Sequence, residues 1–159
     1  MYRVDFQLVE RIGSGLIDLV DLFCKKDRRV IWVLIRNKSP YPIEMKKVIL
    51  SIPYSKPVII EKKFLFWKYP EIKYKDIIAK EPVFGKVLPG DVWDWSIVLF
   101  KRPFVAGRYM LEFMGKVIGG RAEGGVAPVF TFSGDLGVAG IGGGELSREF
   151  KDVLIIDVI

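Results

Sequence analysis

Within residues 92–101, Trp93, Trp95, Ile97 and Leu99 fall on one side of an extended chain, opposite Asp94 and Ser96. A period of two sends successive side chains to opposite faces of an extended strand, so one face is built for burial and the other for water. The same period recurs along most of the chain. Val4, Phe6 and Leu8 alternate with polar residues, and within 107–117 Tyr109, Leu111 and Phe113 oppose Arg108 and Glu112. Further strands are expected over 30–36, 45–52, 58–66, 72–78, 126–133 and 153–159, with Pro53 and Pro57 separating two of them. Residues 16–23 admit two readings: a helix with Ser14, Asp18, Asp21 and Lys25 as a polar stripe, or the first strand of a hairpin that returns through 30–36. The charged segment 24–29 favours the hairpin as its loop. A short helix is expected at 145–151. Eleven of the sixteen glycines lie in 115–144, which predicts a glycine-rich loop there. Together these elements predict an all-β chain, a two-sheet antiparallel β-sandwich of about eight or nine strands filling 1–159 as a single domain.

What the chain lacks narrows its chemistry. There is no histidine, which removes imidazole bases and imidazole metal ligands. Cys24 is the lone cysteine, so it forms neither an internal disulfide nor a thiolate zinc site. Lys25 and Lys26 would lower its thiol pKa, but no second group stands ready as a base, and a passive thiol is expected. Asp91 and Asp94 lie beside two tryptophans, a combination used on sugars. Their odd spacing turns them to opposite faces of one strand, and Trp93 and Trp95 read as core. The run Gly137-Val138-Ala139-Gly140-Ile141-Gly142-Gly143-Gly144 matches no phosphate-binding fingerprint. The expectation is a protein that is not an enzyme and takes no cofactor.

Charge is unevenly placed. The net charge is +6, but residues 1–80 carry 17 Lys/Arg against 9 Asp/Glu, and ten lysines with no arginine fall between Lys38 and Lys80. The absence of arginine argues against bidentate base or phosphate reading. Within this stretch, 62–75 interleaves Lys62, Lys63, Lys68, Lys73 and Lys75 with Phe64, Phe66, Trp67, Tyr69 and Tyr74. Candidate binding residues are therefore Lys62, Lys63, Phe66, Trp67, Lys68, Tyr69, Lys73, Tyr74 and Lys75. Aromatic faces could stack single-stranded bases while lysines neutralise phosphates, and a Phe-Leu-Phe-Trp tip could enter a membrane interface. The competing structural reading sends Phe64 and Phe66 into the core behind Val58 and Ile60, leaving only Trp67 and Tyr69 outside. A protein partner or self-association leads, through this segment or an open sheet edge, with nucleic acid second and peripheral membrane contact third. The terminal strand 153–159 is a further dimerisation candidate if it lies at an edge.

Two compositional traits bear on setting. Gln7, Asn37 and Thr131 are the only residues of their types, beside abundant Lys, Glu, Ile and Val, which is the pattern of a thermophile. The start, Met1-Tyr2-Arg3-Val4-Asp5-Phe6, is charged, and no apolar run approaches a membrane span, so a cytoplasmic location is expected.

Three landmarks carry a family resemblance: Val30-Ile31-Trp32-Val33-Leu34-Ile35-Arg36-Asn37-Lys38-Ser39-Pro40, then Leu88-Pro89-Gly90, then Ala106-Gly107-Arg108-Tyr109. Over roughly residues 30–117 the chain resembles the immunoglobulin-like accessory modules of archaea and bacteria, of which the CARDB modules are one group, and it is similar to a single arrestin-like sandwich. The resemblance implies a sandwich that holds partners together or supports another domain.

Overall fold

The computed structural model describes residues 1–121 and 145–159. Ten strands, and no helix, occur among them. They are β1 (Tyr2–Arg3), β2 (Phe6–Gly13), β3 (Ile17–Cys24), β4 (Val30–Asn37), β5 (Ile43–Phe64), β6 (Trp67–Pro82), β7 (Lys86–Val87), β8 (Val92–Val98), β9 (Gly107–Arg121) and β10 (Glu145–Val158). One sheet has the order β1-β3-β4-β8. The other runs β2-β10-β9-β5-β6, with β7 also paired to β5. Every pairing is antiparallel. The expected all-β sandwich of two antiparallel sheets is the observed architecture.

Alternation decides which face is buried. Ile31, Val33 and Ile35 of β4, with Trp95 and Ile97 of β8, pack across the sandwich toward Val48, Leu50, Leu111, Phe113 and Leu154. Full burial of such side chains contributes about 1.5–3 kcal/mol each. Residues 16–23 form a strand, as the hairpin reading had it, and β3 pairs with β4 from Ile17↔Asn37 to Cys24↔Ile31. Cys24 is buried in that core.

Several expectations are corrected. The predicted helix at 145–151 is the first half of β10, because thirteen residues of β9 offer it a ladder and local helical periodicity loses to that pairing. The predicted glycine-rich loop at 115–144 begins too early, since β9 continues to Arg121. Gly115 is needed inside the strand: a Cβ there would stand 2.1 Å from the Glu44 carbonyl oxygen. The expected strand at 126–133 and the glycine run 137–144 lie outside the described residues. The terminal strand is not an edge, for β10 sits between β2 and β9. Finally, Pro53 and Pro57 do not separate two strands; they flank a bulge within one long β5.

Two of the sequence landmarks meet in space, at Asn37 and Gly90. The buried Asn37 donates through Nδ2 to the carbonyls of Tyr41 (2.8 Å) and Val87 (3.0 Å), while Gly90 N–H donates to the Asn37 carbonyl (2.8 Å). This knot holds the crossing from β4 to β5 against the start of β8. At the entry to β9, the Tyr109 hydroxyl donates to the Val105 carbonyl (2.8 Å) and accepts from the Val105 N–H (3.1 Å). These two bonds close the turn that leads into β9.

Candidate functional site

The pairing of β9 with β5 ends at Ser51↔Met110. Beyond it β6 is the only neighbour of β5 among the described residues, and the two run on together to Phe64↔Trp67. The bulge that opposes 54–57 to Tyr74 marks the root of this two-stranded arm. From Val58 to Phe64 the arm extends about 20 Å, at about 3.4 Å per residue. It carries all nine candidate residues.

Directly opposed residues share a face. One face of the arm therefore carries Val58 with Lys73, Ile60 with Glu71, Lys62 with Tyr69, and Phe64 with Trp67. The other carries Ile59 with Ile72, Glu61 with Pro70, and Lys63 with Lys68, and strand alternation adds Tyr74 to it. Neither face meets the sandwich core. Ile59 is 72% exposed, Trp67 73% and Phe66 97%. The structural reading that buried Phe64 and Phe66 is corrected: they are 65% and 97% exposed, and among the described residues no sheet lies opposite the arm to receive them. Phe66 is in the turn, outside any strand.

Leu65, the first turn residue, sits at φ 54° and is 74% exposed. That region favours glycine or asparagine, and a leucine there is strained by about 1–2 kcal/mol without any burial in return. Strain combined with exposure at the extreme tip points toward recognition.

The lysines are largely neutralised by neighbours. Lys62 Nζ lies 2.9 Å from Glu71 Oε2, and that carboxylate holds the Lys62 ammonium pKa above its ordinary value. Lys68 pairs with Glu61 at 4.0 Å and Lys73 with Asp76 at 3.8 Å. Lys73 also stands 5.8 Å over the Tyr54 ring. Lys63 has no ion-pair partner among the described residues. From Glu61 to Glu71 three lysines face two glutamates, a net +1. Lys75 departs from the candidate set, because its ammonium turns down to the buried Glu112 of β9 and fastens the root. Arg102, bonded to Asp76, and Lys101, donating to the Ile77 carbonyl at 2.7 Å, hold the same root from the β8–β9 connection. The arm is thus aimed by fixed contacts.

Sequence reasoning missed Ile59 and Ile72, and it named Leu65 only as part of the Phe-Leu-Phe-Trp tip. Val58 and Ile60 are expected to continue one core face; with Ile59 between them the run is apolar on both faces, a pattern shared by a fully buried strand and a ribbon with two open sides. The remaining candidates stay structural. Trp95 is buried and Trp93 packs partly buried on the core, as expected, with its Nε1–H donating to the Phe84 carbonyl (3.3 Å). Asp152 is fully buried and accepts from Ser14 Oγ (2.8 Å) and from the N–H groups of Gly15 (2.6 Å), Leu16 (2.7 Å) and Ile17 (2.9 Å), which latches the β2–β3 turn. A cavity of about 480 Å³ opens near the start of β5, away from the arm, between Leu16, Tyr41, Val117 and Phe150.

No known family, curated protein or solved structure matches the chain. Its function is therefore argued from the arm. Among the described residues, no three acidic or cysteine side chains gather as a metal site, and no helix is long and apolar enough to cross a membrane.

Proposed function

We propose that the protein is a non-catalytic protein-binding or scaffolding module, an immunoglobulin-like sandwich that presents the β5–β6 arm to a polypeptide partner. The crossings between sheets from β4 to β5, β7 to β8 and β8 to β9, together with the corner made by Tyr109, support the immunoglobulin-like reading. The observation that carries the function is the tip: Phe64, Leu65, Phe66 and Trp67 are all solvent-exposed while the surrounding charge nearly cancels. Apolar area with little net field suits desolvation against protein, whereas phosphate recognition draws on unneutralised cations.

A photo-reactive analogue at Trp67 in extract of the source cells tests this. Crosslinks to a polypeptide support the reading. Crosslinks confined to nucleic acid, lost on nuclease treatment, or confined to lipid overturn it.

Sequence-independent nucleic-acid binding has one observation in its favour. Lys63 and Lys68 stand directly opposite each other, a like-charge pair that is unfavourable without an anion near it. Three tip lysines releasing counterions would lower single-strand affinity with a log–log salt slope of about −2. Oligonucleotide binding that is flat in salt sinks that alternative.

A further inference from the structure

The outer face of the larger sheet holds a basic groove that the arm does not explain. Leu111 and Phe113 of β9 belong to the core, so alternation turns Glu112, Met114 and Lys116 outward. Met114 lies opposite Lys47 of β5 on one side and Lys151 of β10 on the other, which sets the three in one row across the sheet. Lys46, the extra residue of a bulge in β5, joins them and Lys116 around a groove of about 660 Å³. We propose that this groove binds a compact, multiply charged phosphate anion of the di- or triphosphate class.

Charge carries the inference. Lys46 is paired with Glu44 at 3.1 Å, but no ion pair holds Lys47, Lys80, Lys116 or Lys151 among the described residues. Against four lysines, Glu149 is the one carboxylate among the described residues that line the groove. Lys80, opposite Ile49 on the same face, stands beside Lys47 and is the leading cause that holds the Lys47 pKa below its ordinary value. Glu112, already paired with Lys75, opposes that shift least. Like charges this close are unfavourable until an anion comes between them. Phosphate recognition draws on unneutralised cations; most lysines of the arm are paired, and these are not. Lysine heads are point charges, suited to meeting the oxygens of a phosphate chain one at a time.

Size and surroundings favour a short anion over a long one. Lys47 and Lys151 are two strands apart, about 10 Å at the backbone, a span that their long stems close onto a single triphosphate. Across the strands the row stops at Pro82 of β6, and at Lys151, beyond the last β2 pairing at Asp152↔Gly13. Toward the arm, the next row is Ile49, the paired Glu112 and Val153; away from it, Glu44 and Glu149 stand either side of Lys116. A nucleic-acid backbone laid along the strands would leave the cations after one or two phosphates, whereas a triphosphate spends all its charge among them.

The test uses the purified full chain and inorganic tripolyphosphate. Calorimetry in low salt should give one site with Kd on the order of 10–100 µM, weakening as salt is added. Lys47→Gln with Lys151→Gln should weaken binding at least about 10-fold, with circular dichroism unchanged. Glu149→Gln, an exposed change that removes the acid of the groove, should tighten it about 2–5-fold, a gain that misfolding cannot imitate. Lys63→Gln with Lys68→Gln, on the arm, should leave it unchanged, so this site stands or falls apart from the arm's own reading. No saturation below about 1 mM overturns the proposal, as does binding that the arm variant weakens as much as the groove variant. A single-stranded oligonucleotide of about 20 residues that binds through Lys47 and Lys151 more tightly than tripolyphosphate also overturns it.

Discussion

Lys75, on β6 at the root of the arm, donates to Glu112, a carboxylate on β9 that is 3% exposed. The second carboxylate oxygen of Glu112 has no hydrogen-bond partner, so Lys75 is what satisfies this buried charge. Removing one member of such a pair leaves the other buried and unpaired, which is worse than removing both. Lys75 is partly exposed, which discounts the effect. Lys75→Met should cost about 2 kcal/mol in urea unfolding, and Lys75→Met with Glu112→Met should recover most of it. A double variant as unstable as the sum of the singles would contradict the pairing.

The tip should separate stability from binding. Leu65→Gly relieves a left-handed backbone and should raise stability by about 1 kcal/mol, while Trp67→Ala should change it by less than about 0.5 kcal/mol. Leu65→Gly should lose polypeptide partners in the crosslinking assay, and Trp67→Ala should lose them when the photo-reactive analogue stands at Phe66 instead. Unfolding midpoints measured beside crosslink yield check the separation.

Tyr109 gives the protein an alkaline signature. Burial pushes its hydroxyl pKa above the ordinary value near 10. In the unfolded chain the phenol ionises first, so the folded state holds more protons and stability falls as pH rises past 10, through the raised folded value. Below pH 10 this contribution is fully present. Tyr109→Phe should cost about 1–2 kcal/mol at neutral pH by orphaning the Val105 N–H and carbonyl, and should show a shallower loss of stability above pH 10. Denaturant titrations at pH 7, 9 and 11 read both effects.

Asp152 anchors the β2–β3 turn through four donors. Asp152→Asn keeps the shape but turns an amide against N–H groups, and should cost about 3 kcal/mol. Amide exchange at Gly15, Leu16 and Ile17 should accelerate ahead of the remainder of β3. Uniform exchange rates would show that the latch is not local.

Alternation, turn chemistry and composition by themselves determined the all-β class, the β3–β4 hairpin and the inward row from Trp93 to Leu99, and they singled out 62–75 as the lysine–aromatic segment. These are local properties, since the face on which a side chain falls follows from its position in an extended chain. Tertiary structure decided the rest. Residues 145–151 became strand because β9 was there to pair with them, and β10 lost its edge because β2 closed over it. Phe64 and Phe66 were left outside because β9 stops pairing at Ser51 while β5 continues. No pattern within 58–75 records where a neighbouring strand ends, so an apolar residue bound for the core and one left open to solvent read alike until the sheet is assembled around them.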